Sequence, residues 1–194
     1  MEQDLSGKFE IKALGQPKML LGMGICQNPE DNSIKLFQTA YVDSLLKKHY
    51  LEVANPVSTP MDPNIKFDHD LNNSNDSIPK GELPECASVS YAILIGLLMY
   101  LVIGTRLDIA YSVQCLAQFT QNPKPVHWTA VKHIFRYLKG TRTLGLTYGG
   151  EEEPEELNDK ELNIYCDADW ASDADRKSVS GYVITLAGGA VAWS

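Results

Sequence analysis

Apolar positions along this chain change period several times, and each change marks an element. Met19-Leu-Leu-Gly-Met-Gly-Ile-Cys and Ser33-Ile-Lys-Leu-Phe are short apolar stretches separated by the turn-rich Gln27-Asn-Pro-Glu-Asp-Asn, a pattern that predicts a hairpin. From Thr39 onward the spacing becomes helical, with Tyr41, Val42, Leu45 and Leu46 on one side. Thr39 is the expected N-cap, and Lys47-Lys48 suit the negative end of the helix dipole. This helix should pack on the hairpin.

Between Pro56 and Pro84 the pattern is lost in a polar, turn-rich stretch. The run from Val89 to Gly104 is apolar on every face, but it is shorter than the roughly 20 residues a membrane span needs and reads as a buried core helix. Ser90 is its expected cap. Two further helices are predicted over Leu107–Phe119 and Val126–Lys139, the second closed by Gly140. On that last helix Val131, Ile134, Phe135 and Leu138 form one apolar face, and Lys132, Arg136 and Lys139 repeat on an adjacent one, with Arg142 just beyond the end. Such a stripe suits a phosphate backbone, and a merely solvated helix face has the same pattern. His127 and Trp128, at the helix start, are expected to pack and cap.

The final stretch returns to strand periodicity. Asn163-Ile-Tyr-Cys-Asp-Ala-Asp-Trp is followed by a polar loop, by Val179-Ser-Gly-Tyr-Val-Ile-Thr-Leu and, after a Gly188-Gly189 turn, by Ala190-Val-Ala-Trp-Ser. Asp167 and Asp169 are two apart and share a face if the strand continues through them, with Asp173 and Asp175 in the loop. Magnesium takes oxygen ligands, and two-metal hydrolysis needs carboxylates converging from different elements. One cluster does not establish convergence, so a metal role and ordinary loop acids both remain open.

Composition narrows these readings. The 194 residues are 44% hydrophobic, enough for a real core. The net charge of -8 is uneven: seven acids face one lysine between Glu151 and Glu161, which reads as a solvated linker, and the rest of the chain is close to neutral. Cys26, Cys86, Cys115 and Cys166 show neither a paired motif nor zinc spacing, so reduced thiols in an intracellular protein are expected, cytoplasmic or nuclear and not secreted. Met1-Glu-Gln-Asp lacks the basic, apolar character of a signal peptide. Gly22-Met-Gly24 lacks the third glycine of a dinucleotide loop, and neither a P-loop nor a nucleophile elbow is present. Tyr41-Val-Asp-Ser imitates a polymerase Tyr-x-Asp-Asp, but Ser44 replaces the second metal ligand and the surrounding pattern is helical.

Ordered blocks along nearly the whole chain carry a family resemblance. They include Phe9-Glu-Ile-Lys-Ala-Leu-Gly, Leu21-Gly-Met-Gly-Ile, Gln38 with Tyr41 and Leu45-Leu46, and Val57-Ser-Thr-Pro-Met. Tyr91 through Leu-Ile-Gly-Leu-Leu-Met-Tyr-Leu, Thr105-Arg-Leu-Asp-Ile-Ala-Tyr, His127-Trp, Arg136-Tyr-Leu-Lys-Gly-Thr, Tyr165-Cys-Asp-Ala-Asp-Trp-Ala and Arg176-Lys-Ser-Val-Ser-Gly-Tyr follow. The chain resembles the end of the reverse transcriptase and the start of the ribonuclease H in the Pol polyprotein of copia-type LTR retrotransposons. The resemblance implies an α+β chain: 1–60 the end of the palm with its following helix, 61–85 a polar linker, 86–148 a helical thumb or connection region, 149–161 the acidic linker, and 162–194 the first three strands of a truncated ribonuclease H-like sheet.

It further implies that Asp167 is the first metal-binding and catalytic aspartate of ribonuclease H, with Mg2+ as cofactor. The partners of the parent would be an RNA·DNA hybrid or template and the rest of the polyprotein. The polymerase aspartates are expected upstream of Met1 and the remaining ribonuclease H acids downstream of Ser194, which would leave this chain catalytically incomplete. The alternative is a non-enzymatic remnant that binds nucleic acid or protein, with Lys132, Arg136, Lys139 and Arg142 as the candidate nucleic-acid contacts. Leu107 stands where many relatives carry proline, a difference that bears on helix entry.

Overall fold

The protein is described by a computed structural model over residues 15–62, 65, 67, 91–150, 162–169 and 179–194. It is a mixed α+β chain with two antiparallel sheets and a helical core. The first sheet has the order β1 (Met19–Leu20), β2 (Met23–Asn28), β3 (Ser33–Phe37) and β4 (Gly145–Tyr148). Helices α1 (Thr39–Lys48), α2 (Tyr91–Gly104), α3 (Ala110–Ala117) and α4 (Pro125–Gly140) lie between β3 and β4 in sequence, with a 3-10 turn over Leu107–Ile109. The second sheet, β5 (Asn163–Asp169), β6 (Val179–Leu186) and β7 (Gly189–Trp193), follows.

The expected hairpin is present, with Gly24 opposite Phe37 and Gln27 opposite Ile34. The apolar stretch from Met19 is not one strand, however. It folds back at Leu21 and Gly22, both at positive φ, and pairs with itself as β1 against β2. The Tyr100 hydroxyl donates to the Leu21 carbonyl at 2.6 Å and holds this non-glycine residue in the left-handed region. Asn32, also left-handed, closes the β2–β3 loop, and the Asp31 carboxylate accepts the Ser33 amide.

One core joins elements far apart in sequence. Val42, Leu45 and Leu46 of α1 pack with Leu94, Leu98 and Leu101 of α2, Val113 and Leu116 of α3, and Val131, Ile134, Phe135 and Leu138 of α4. Strand β4 then leaves α4 and pairs with β3, Leu146 opposite Leu36, so chain that follows the helices completes the sheet that precedes them. Gly145 is required there, because a Cβ would collide with the Leu36 carbonyl.

The helix ends depart from expectation in three places. Gln38 is the N-cap of α1, and Thr39 lies inside the helix with its hydroxyl donating to the Arg142 carbonyl at 3.0 Å. Gly140 is the last residue of α4, with Thr141 at the cap. Leu107 begins a 3-10 turn, and the α-helix proper starts at Ala110. Ser90 lies outside the described residues, as do most of the two expected linkers. No helix among the described residues is long and apolar enough to cross a membrane.

Candidate functional site

The sheet carrying the candidate carboxylates forms as the alternation of its residues predicts. Asp167 sits opposite Gly181, and Asp169 opposite Val179. Asp167 is exposed, and its Oδ1 accepts the Ala168 amide at 2.8 Å. Asp173 and Asp175 lie outside the described residues. The exposed Asp167 carboxylate is a suitable oxygen donor for a magnesium ion. Among the described residues, however, no three histidine, cysteine, aspartate or glutamate side chains come together, so a two-metal site is not assembled there.

The cations of α4 do lie along one helix, and much of their donor capacity is turned inward. Arg136 Nε donates to the Asn55 carbonyl at 2.7 Å, and Lys139 Nζ donates to the Ala54 carbonyl at 2.8 Å. His133 Nε2 lies 2.9 Å from the Thr59 carbonyl. The segment 54–59 is thereby strapped along α4, with the carbonyls of Ala54, Asn55 and Thr59 paired by side chains rather than by a strand ladder. Arg142 stands apart, 58% exposed and 3.5 Å from Asp43 Oδ1. Lys132 is half-buried on the same helix. The four residues therefore do not form one uniform phosphate-facing row.

His127 packs and caps as its position predicts. It is buried, stacks on Phe119 with ring centroids 3.9 Å apart, and its Nδ1 accepts the Lys124 amide at 3.0 Å in the first turn of α4. Trp128 packs edge-on against Tyr91. Tyr41-Val-Asp-Ser is helical, with Tyr41 against Tyr100 and Ser44 hydrogen-bonded to the Tyr41 carbonyl, unlike the tight strand turn of a polymerase site.

A polar cluster not foreseen from the residue pattern lies where α1, α2 and α4 meet. Arg106 is 1% exposed. It forms a fork on Asp108, Nε to Oδ1 at 2.9 Å and Nη2 to Oδ2 at 2.7 Å. Its remaining donors reach Thr141, Nη1 to the carbonyl at 3.0 Å and Nη2 to Oγ1 at 2.6 Å. Tyr137 donates its hydroxyl to Asp108 Oδ2 at 2.9 Å, and burial together with that bond raises its pKa. Beside them Thr105 donates to Gln38 Oε1 at 2.8 Å. Three blocks that were separate in the sequence, Gln38, Thr105-Arg-Leu-Asp and Tyr137-Leu-Lys-Gly-Thr, thus meet in one buried network. The Arg106 donors are taken up by Asp108 and Thr141, whereas the buried Gln38 Nε2 at the edge of the network is left without a hydrogen-bond partner.

The second sheet also touches the core. Trp193 Nε1 donates to the Val102 carbonyl at 3.0 Å, Tyr148 Oη to the Ala190 carbonyl at 2.7 Å, and the Gly149 amide to the Ala187 carbonyl at 2.8 Å. An open apolar cavity of about 450 Å³ lies at this junction, between α2, α3 and β7.

An α+β chain with a buried Arg–Asp network and an exposed strand carboxylate defines only a broad class, and comparison with known proteins gives the family. Over 194 residues, the whole chain, it is 38% identical to the retrovirus-related Pol polyprotein from transposon TNT 1-94 of Nicotiana tabacum. Over 192 residues it is 32% identical to that from transposon RE2 of Arabidopsis thaliana. The chain belongs to the family of retrovirus-related Pol polyproteins of copia-type retrotransposons. It spans 14% and 12% of the length of these two relatives. It is also 42% identical over 107 residues to secreted RxLR effector protein 161 of Plasmopara viticola, covering 71% of that protein. No family model matches the chain, and no solved structure does.

Proposed function

We propose that this chain is the part of a retrotransposon polyprotein that joins an RNA-directed DNA polymerase to its ribonuclease H. In this reading the first sheet and α1–α4 are the end of the palm and the thumb or connection region, and β5–β7 open the ribonuclease H. Asp167 supplies the first carboxylate of a Mg2+ site that other parts of the polyprotein complete. Lys132 and Arg142 lie toward the nucleic acid while Arg136 and Lys139 hold segment 54–59 on α4, and the protein works inside the cell. The observation that carries the reading is the 38% identity to a Pol polyprotein along the whole chain. The three-stranded antiparallel sheet with Asp167 on its first strand supports it.

The chain alone is expected not to cleave an RNA·DNA hybrid in Mg2+. A longer polyprotein segment is expected to cleave it and to lose that activity on Asp167→Asn. Cleavage that survives the substitution would refute the role of Asp167.

A second reading is favoured by one observation, the similarity to a short effector protein of which this chain covers 71%. The chain would then be a non-enzymatic binding module. Duplex binding that weakens as salt rises and on Lys132→Ala with Arg142→Ala would support it. Undetectable duplex binding at low salt would count against it.

A further inference from the structure

We propose that Trp193 and Tyr148 are positioning residues that fix the Asp167-bearing sheet on the helical core. The second sheet would thereby act on nucleic acid at a set distance from the first.

The proposal starts from an orphan carbonyl. At the end of α2 the Arg106 amide bonds to Leu101, five residues back, and not to Val102. The Val102 carbonyl therefore needs a partner from elsewhere. Trp193, on the last strand of the second sheet, provides it, its indole N–H reaching across at 3.0 Å. Its ring covers one wall of the junction cavity.

A second attachment has the same character. Tyr148 belongs to β4, which is paired to β3 of the first sheet, yet its hydroxyl donates to Ala190 in β7. Gly189 lies so close to the Tyr148 ring that a Cβ there would overlap it. The β7 strand carries a bulge opposite Ile184 and Thr185, which turns it locally and breaks the even ladder next to Ala190. With the Gly149–Ala187 bond, these contacts attach β7 at both its beginning and its end. Asp167 is linked to them through the continuous β5–β6–β7 ladder, opposite Gly181.

Two attachment points on different elements suppress rotation as well as separation. If both sheets bind one nucleic-acid duplex, the spacing between events at each is then set by the protein body and not by the length of the acidic segment 151–161. This consequence rests on the ribonuclease H reading above, whereas the attachment itself does not.

The test has two arms. In the intact chain, with its cysteines replaced, spin labels at Lys48→Cys and Ser180→Cys are expected to give one narrow distance distribution. Trp193→Phe and Tyr148→Phe, which leave an aromatic ring at each position but remove its hydrogen-bond donor, are expected to raise the undocked population about 5-fold for each bond lost. A distribution that is broad in the parent, or unchanged in the double variant, overturns the proposal whatever the activity. In a longer polyprotein segment that cleaves hybrid, the double variant is expected to keep its cleavage rate but to scatter the cut positions relative to the primer end. Unscattered cuts overturn the positioning role. Absence of any cleavage in the parent segment counts against the ribonuclease H reading and leaves the distance measurement to decide the attachment.

Discussion

Arg106 is the residue on which most of the buried polar structure depends. Its guanidinium is fully enclosed, and its fork matches the Asp108 carboxylate at two points while also reaching Thr141. Lysine carries the same charge but cannot reproduce that planar geometry. Arg106→Ala is therefore expected to lower unfolding stability by about 3 kcal/mol, because it empties the site and unpairs Asp108. Arg106→Lys is expected to recover less than half of the loss, as read by denaturant unfolding. Asp108 is 31% exposed and can be rehydrated in part, so Asp108→Asn should cost less, about 1 kcal/mol.

Ionisation gives predictions of opposite sign for Tyr137 and His49. Burial first, then the bond to Asp108, raises the Tyr137 pKa, so the folded state holds the proton more tightly than the unfolded chain. That stabilisation is complete below pH 10 and is lost as pH rises through the folded value. Burial lowers the pKa of His49, whose ring packs beside Phe135. Its contribution is complete above pH 6.5 and falls as the unfolded chain takes up a proton below it. Chemical denaturation from pH 5 to 11 is expected to show both losses, and Tyr137→Phe to reduce the alkaline one without abolishing it, because burial also raises the pKa of Tyr41, Tyr91 and Tyr148.

At the scale of elements, the helices were legible because their period is strong. The apolar face of α4 is the one the sequence predicts, and α2 runs through the segment expected to be a core helix. The exact ends were less legible. Thr39 is a good N-cap by type, but Gln38 precedes it and is held by Thr105, which is 67 residues away in sequence. The strap on α4 was invisible for a similar reason: backbone carbonyls of residues 54–59 leave no mark in a pattern of side chains. Arg136→Ala with Lys139→Ala is expected to speed hydrogen exchange in segment 54–59 by about 5- to 10-fold, with smaller change in α2. Equal acceleration throughout the protein would mean that the strap is not a local structure.

At the scale of the molecule, the first sheet is built from strands far apart in sequence. Strand β4 closes a sheet begun by residues 19–37, and β7 is hydrogen-bonded to α2 and contacts Tyr148. Urea unfolding followed by tryptophan fluorescence and by far-ultraviolet circular dichroism is expected to give coincident transitions, because these contacts couple the sheets. Replacing Gly145 by Ala should lower the midpoint by at least the equivalent of about 2 kcal/mol, since the obstructing atom is backbone in a paired strand.

The sequence by itself determined the family, the alternation that makes the strands and the period that makes the helices, because these depend on local order and residue type. It also marked Asp167 as the carboxylate at the end of an apolar strand. Only the tertiary structure decided that Gln38, Arg106 and Thr141 meet, that Arg136 and Lys139 spend hydrogen bonds on their own chain, and that Trp193 caps a carbonyl of α2. Those partners lie between 67 and 91 residues apart along the chain for the Gln38 and Trp193 contacts. Buried polar groups must be paired, but which distant group does the pairing is fixed by how the elements pack.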